Sequence, residues 1–330
     1  MTAARALIQL STGFITARAV HVAAKLGIAD LLDQGPRRAA EIAEKLAVDP
    51  DALFRIMRLL AGAGVLKQSE PDLFELTDLG EPLRTASEHS MRDYIILFHE
   101  FQYPAFTNIM HQLSTGESAN LKTFGHSIFG LVQSDEEFAR VFFAGLASRA
   151  RVDIAAVMDA YDFSSAKQIA DIGGGNGGML SAILTRFPQL SGVLFDLAPA
   201  IAEAKAERGG ALPRCTLIVG DFFDQVPAGS DIYLLKLVLH DWEDEDATRI
   251  LKNCRNAMHP DSRLVIIEGL LGEGDTMTMT DLGDLVMWLS LSGRERTEAE
   301  FMTLLQRTGF KLRKKIPTKA DVYILEARPV

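Results

Sequence analysis

Cysteine is nearly absent, with two in 330 residues, Cys215 and Cys254. They lie far apart and neither belongs to a C-x-x-C pair, which excludes a disulfide framework and a cysteine-built zinc site. Both are expected to be ordinary core or surface thiols. Long apolar runs are also missing. No stretch reaches the roughly 18 residues a membrane span needs, and the opening MTAARALIQL lacks the basic start and small-residue cleavage site of a signal peptide, so a cytoplasmic protein is expected. Basic charge falls short of acidic charge, 34 Lys and Arg against 44 Asp and Glu, for a formal net charge of -10 at pH 7. Such a field repels phosphate backbones and no local basic patch offsets it, so no nucleic-acid partner is expected. The histidines show no metal spacing such as H-E-x-x-H, and no metal is expected.

What is abundant is apolar material, 48% of the residues, more than one core usually organises and suited to two domains. We place them at residues 1–102 and 103–330. The first segment, ARALIQLSTGFITARAVHVAAKLGIADLL, sets Leu7, Leu10, Phe14, Ala17 and Val20 at helical spacing with almost no charge on the other faces. Such a helix needs cover, from a second copy of the chain or from its own domain. AAEIAEKLAVDPDALFRIMRLLAGAGVL and FELTDLGEPL then read as a helix, a turn at Asp49 and Pro50, a second helix and a small hairpin, a winged-helix pattern. Its mixture of Glu41, Glu44, Asp49 and Asp51 with Arg37, Arg38, Lys45 and Arg55 argues for a structural role over DNA reading. Residues 90 to 160 predict further helices. Most of their aromatics, Tyr94, Phe98, Phe101, Tyr103, Phe106, Phe124, Phe129, Phe142 and Phe143, are expected in the core, with a few free to line a pocket for a flat ligand.

From Lys167 onward, the apolar runs QIADIG, GVLFDL, CTLIVGD, DIYLLKLVLH and RLVIIEG alternate with helical stretches, one of them around 200 to 210. That pattern predicts a parallel sheet with helices on both faces. FKLRKKIP and DVYILEARP, linked tightly through Thr318 and Lys319, predict an antiparallel pair at the sheet edge. Ligands of such sheets sit beyond the carboxyl ends of the strands, and here successive runs finish in Asp171, Asp196, Asp221, His240 and Glu268.

The first loop, Asp171 to Gly178, contains G-x-G-x-x-G through Gly173, Gly175 and Gly178, with Asp196 about twenty residues on, which also satisfies the dinucleotide fingerprint. Asp171 argues against a pyrophosphate and favours the ammonium and sulfonium of S-adenosylmethionine. Asp196 suits the two ribose hydroxyls, and Asp221 with Phe222 suits the adenine amino group and ring. The bland alternative for Asp221-Phe222-Phe223 is a turn followed by core aromatics. His240 closes an apolar strand at the ligand edge, which suits a general base.

At these residues the sequence resembles the small-molecule O-methyltransferases, which include plant caffeic-acid and flavonoid enzymes, animal acetylserotonin methyltransferases and bacterial hydroxyneurosporene and phenazine methyltransferases. The resemblance covers nearly the whole chain: the helical front, DIGGGNGG at 171 to 178, FDL at 195 to 197, GDFF at 220 to 223, LHDWEDEDA at 239 to 247 and GRERTEAEF at 293 to 301. It implies an α/β fold, a Rossmann-like seven-stranded methyltransferase sheet, mostly parallel with an antiparallel last strand, behind an N-terminal helical winged-helix dimerisation domain. It also implies a homodimer and a small aromatic acceptor. Gly173, Asp196, Asp221, Phe222 and Lys236 would contact the cofactor, and we add Asp171, Gly175 and Leu197 to that set. His240 would be the base, with Glu268 and Glu295 flanking and orienting it. Met287 and Trp288 would help form the acceptor pocket, to which we add Trp242 and Leu146. Two positions depart from the family pattern: Ala198 replaces the usual proline after FDL, and Leu146 stands where plant members present a methionine, which leaves the acceptor open.

A phenol, with a pKa near 10, is mostly protonated at neutral pH. His240 would take its proton as the oxygen attacks the methyl group, while Glu268 or Glu295 stabilises the imidazolium. The alternatives are a nicotinamide-dependent oxidoreductase on the same glycine loop and a winged-helix transcription regulator with a vestigial ligand-binding domain.

Overall fold

The computed structural model describes residues 2–207, 213–272, 274, 276–291 and 293–330. They form two compact units, Met1–Pro104 with Arg140–Arg149, and Ala105–Ala139 with Ala150–Val330. A single cut after residue 102 does not describe this division, because the helix Glu136–Ala160 contributes residues to both units.

In the first unit the helix Ala3–Leu26 starts at Thr2, whose side chain accepts from the Arg5 amide, and stops at Gly27, which turns left-handed at φ 67°. Its last turns bury Ala19, His21, Ala23 and Ala24, whereas Leu7, Leu10 and Phe14 are 68, 77 and 51% exposed on the single chain. Asp49 caps the helix Pro50–Gly62, with proline in the first turn where no amide is missed. That helix and Ala39–Leu46 precede the strands Leu66–Glu70 and Leu73–Leu76, and Arg37–Arg38 pairs on the far side of the latter. Ile28, Ile42, Met57, Leu60 and Phe74 close this core.

The second unit is built on a seven-stranded sheet: β1 (Gln168–Ile172), β2 (Ser191–Asp196), β3 (Cys215–Val219), β4 (Ile232–Lys236), β5 (Arg263–Glu268), β6 (Phe310–Pro317) and β7 (Tyr323–Pro329). Their order is β3-β2-β1-β4-β5-β7-β6. The first five run parallel, and β7 lies antiparallel between β5 and β6. The predicted pair is therefore present, with the last strand one place in from the edge.

Alternation places Ala170, Tyr233, Leu235, Leu264 and Ile266 in one core and Ile169, Ile232, Leu234, Val265 and Ile267 in the other. Both faces are covered, and so these strands read as continuous apolar runs. Among the covering helices are Gly178–Arg186, Asp244–Ala257 and Glu298–Arg307, the last opened by a reciprocal capping box of Thr297 and Glu300. The helical stretch expected around 200 to 210 is Ala198–Glu207, and residues 208–210 lie outside the described residues.

Residues 90 to 160 are largely helical, but of the nine aromatics expected mostly in the core, Phe101 alone is fully buried and the others are half-buried. Phe124 and Phe129 lie on the short helices Ala119–Phe124 and Ile128–Ser134, whereas Phe142 and Phe143 lie on the long helix Glu136–Ala160, and all four are only partly covered. Among the described residues no helix is long and apolar enough to cross a membrane.

Candidate active site

The loop after β1 is shaped by close approaches. A Cβ on Gly174 would lie 2.5 Å from Leu194 Cδ1 and 2.6 Å from the Asp171 carboxyl carbon, so a side chain there would displace Asp171. Gly175, at φ +58°, instead faces open space, where its backbone is available to a ligand. Its amide donates to Asp196 Oδ2 at 2.7 Å, while the Leu197 amide donates to Asp196 Oδ1 at 2.6 Å. Asp196 thus ties the glycine loop to the end of β2. Burial holds its carboxyl above the ordinary value against those two amides. Leu197 is 40% exposed.

Asp171 is 1% exposed, and its carboxylate has no well-formed hydrogen bond among the described residues, with only a weak interaction from the Leu180 backbone. Burial pushes its pKa up to about 7, against the pull of Lys236. Lys236, at the end of β4, has its Nζ 3.7 Å from Oδ2 of the fully buried Asp153. Sequence reasoning missed Asp153, which lies in a helix before the sheet with no motif around it.

Past β3, Asp221 Oδ1 accepts from the Phe223 amide at 2.8 Å, and the Phe222 ring edge lies 3.4 Å from where a Cβ on Gly173 would be. Asn253 donates to the carbonyls of Phe222 and Phe223 at 2.8 and 3.0 Å and fixes the turn, a role its helical setting did not announce. The Trp242 ring packs edge-on against Phe222 and Phe223 at centroid distances of 6.0 and 4.6 Å. Trp242 therefore stands with the aromatics that follow β3.

His240 sits on the short helical turn Leu239–Asp241 after β4. The backbone enters that turn through Leu237 at φ 51°, a left-handed conformation that a branched side chain adopts only when its surroundings hold it. Glu268 supplies part of the hold: its Oε1 accepts from the Val238 and Leu239 amides at 3.0 and 2.8 Å. Its Oε2 lies 3.7 Å from His240 Nδ1, and Glu295 Oε1 lies 2.8 Å from the same nitrogen. On the other side of the ring, Asp241 Oδ1 is 3.4 Å from Nε2. The Glu295 amide donates to Asp284 Oδ1 at 2.8 Å, on the helix Met279–Leu291. Met287 and Trp288 follow Asp284 by three and four residues, on the face that Asp284 presents to Glu295. Both are half-buried, and Trp288 is anchored through its carbonyl by Gln112 Nε2 at 2.6 Å. Leu146 belongs to the first unit and is 45% exposed.

The charges in this cluster oppose one another. Burial disfavours a charged His240, but Glu268, Asp241 and Glu295 together outweigh it and raise its pKa to about 10. Burial raises Glu268 as well, with the imidazolium pulling the other way. The surrounding carboxylates therefore favour the charged imidazole, with Glu295 at Nδ1. His240, Glu268 and Glu295 bring one ring nitrogen and two carboxylate oxygens within 4.8 Å of one another, a donor set able to serve a proton or a metal ion. No spacing rule finds it, since the three come from separate segments.

Two family models match the chain, an O-methyltransferase domain over residues 106–311 and an O-methyltransferase dimerisation domain over residues 8–85. A phenazine O-methyltransferase of Lysobacter antibioticus is 42% identical, covering 98% of this chain and 96% of that protein. An 8-amino-8-demethylriboflavin N,N-dimethyltransferase of Streptomyces davaonensis is 35% identical over 94% of this chain and 91% of its own length. Among solved structures, human N-acetylserotonin methyltransferase in complex with S-adenosylmethionine superposes with a TM-score of 0.92 at 25% identity, covering all of this chain and 98% of that one.

Proposed function

The chain belongs to the S-adenosylmethionine-dependent O-methyltransferase family, and we propose that it methylates a hydroxyl of a small aromatic molecule with His240 as the base. The observation that carries this reading is the 2.8 Å contact of His240 Nδ1 with Glu295, which leaves Nε2, with Asp241 Oδ1 3.4 Å away, as the nitrogen for an acceptor hydroxyl. Family membership favours methyl transfer over the nicotinamide-dependent and regulator alternatives.

The residues present fit the cofactor. Asp171 is a buried carboxylate with unmet hydrogen-bond capacity, suited to an ammonium group. Each Asp196 oxygen accepts one backbone amide and keeps capacity for a ribose hydroxyl, Gly173 and Gly175 would give close backbone approach, and Phe222, Asp221 and Leu197 would hold the adenine. Lys236 offsets the charge of Asp153 and Asp171 beneath the loop. When bound, S-adenosylmethionine supplies an electrophilic methyl group on a positively charged sulfur.

His240 accepts the hydroxyl proton in molecules whose imidazole is neutral. Glu295 and Glu268 orient the ring and stabilise the imidazolium that forms, and the same carboxylates that raise its pKa make it the stronger base. Met287, Trp288 and Trp242 complete the acceptor reading, with Trp242 also bordering Phe222. Exposed Leu10 and Phe14 within the dimerisation domain, with Leu7 just before it, support a homodimer.

The test is a panel of hydroxyphenazines, hydroxybenzoates, quinols and matching aromatic amines incubated with the protein and S-adenosylmethionine. Methyl transfer to oxygen is expected. Transfer to amines alone, or to none of the panel, would overturn the reading.

A further inference from the structure

Three consecutive residues grip the turn that carries His240. The Arg294 amide donates to the His240 carbonyl at 2.9 Å, Glu295 holds the imidazole, and the Arg296 guanidinium spans the turn. Its Nη1 donates to Leu239 O at 2.7 Å, its Nη2 to Trp242 O at 2.7 Å and its Nε to Asp244 Oδ1 at 2.9 Å. The Arg296 side chain is fully buried. Its own backbone is pinned, since the Leu271 amide donates to its carbonyl at 3.0 Å. The strap lies directly on the turn: a Cβ on Gly293 would be 2.2 Å from His240 O.

A buried cation needs both a counter-ion and occupied donors, and here the planar fork finds a carboxylate and two carbonyls on either side of the histidine. The turn needs outside support, since Leu237 enters it at φ 51°. We propose that Arg296 is a positioning residue for the base, fixing the backbone on both flanks of His240 and hence the direction of its ring toward Glu295. This rests on the reading of His240 as the base. The imidazole follows its backbone, so a shift of the turn breaks the Glu295 contact before it disturbs the cofactor loop after β1. Lysine has neither the fork nor the reach to span both carbonyls at once.

The experiment follows the His240 imidazole by nitrogen-15 NMR across pH in the S-adenosylmethionine complex of the parent, Arg296→Met and Arg296→Lys. The His240 titration midpoint is expected to fall by roughly one unit or more in both variants, with cofactor affinity within about two-fold of the parent. Single turnovers with a hydroxyphenazine should slow by up to about 100-fold. Added to His240→Ala, Arg296→Met should cost less than about two-fold, because the group it positions is gone. An unchanged midpoint in either folded variant, or the same loss of rate in both backgrounds, would overturn the assignment. Should Arg296→Met fail to fold, Arg296→Lys takes the same measurements. A parent that methylates no hydroxyphenazine counts against that acceptor class, while the NMR midpoint still decides the role of Arg296.

Discussion

Glu295 Oε1 lies 2.8 Å from Nδ1 of His240 although 55 residues separate the two in sequence. The contact commits Nδ1 to the protein and leaves Nε2, 3.4 Å from Asp241 Oδ1, as the nitrogen for an acceptor.

Replacing His240 with alanine should leave cofactor binding intact and slow methyl transfer by roughly 100-fold to 10,000-fold, the span of a positioned acid-base group. The deficit should shrink as pH approaches the acceptor's own pKa, where the phenolate forms unaided. Single-turnover rates across pH check this, and a deficit equally large at every pH would assign the histidine to structure instead of proton transfer.

The parent rate should itself rise with pH above neutrality, since carboxylates hold His240 charged and only its neutral form accepts a proton. Glu295→Gln removes one of the charges that raise the imidazole, so its rate profile should move toward lower pH while the plateau falls. A profile that stays in place would separate Glu295 from the titrating group.

Asp196→Ala should weaken S-adenosylmethionine binding by roughly 1.5 to 3 kcal/mol, the value of a hydrogen bond to a charged group. The side chain also accepts the Gly175 and Leu197 amides, so Asp196→Asn, which keeps one acceptor oxygen, should recover part of the loss. Calorimetry reads both, and unchanged affinity in a folded alanine variant would remove Asp196 from the site.

Asp171→Asn should stabilise the cofactor-free protein above neutral pH while weakening cofactor binding. The folded carboxyl titrates near 7 and the unfolded one near 3.8, so its contribution to stability is present below about 3.8 and lost as pH rises toward 7. The advantage of asparagine should therefore grow across that window, to the order of a few kcal/mol. Thermal melts from pH 4 to 8 measure it, and a gap independent of pH would show that burial of the charge is not the cause.

Light scattering should find a dimer at micromolar concentration, and Leu10→Glu with Phe14→Glu should shift it toward monomer, because both side chains are about half exposed or more on the single chain. Persistence of the dimer in the double variant would move the interface elsewhere.

The sequence by itself determined what is local or periodic. Continuous apolar runs such as Ile232–Lys236 announced strands covered on both faces, the break before Pro50–Gly62 was visible as a turn at Asp49 and Pro50, and the ends of successive apolar runs already named Asp171, Asp196, Asp221, His240 and Glu268. Tertiary structure alone decided how these groups act on one another. Whether the aromatics between 90 and 160 are covered depends on neighbours no spacing rule names. Asp153 beside Lys236 and Asp284 next to Glu295 carry no signature in their own segments, and GRERTEAEF does not by itself say that Arg296 grips the His240 turn, because a hydrogen bond needs distance and direction and only the folded chain supplies them. The shift of His240 has the same origin: the sequence holds seven histidines and many carboxylates, but only the fold brings Glu268, Asp241 and Glu295 close enough to this imidazole to raise its pKa against the effect of burial.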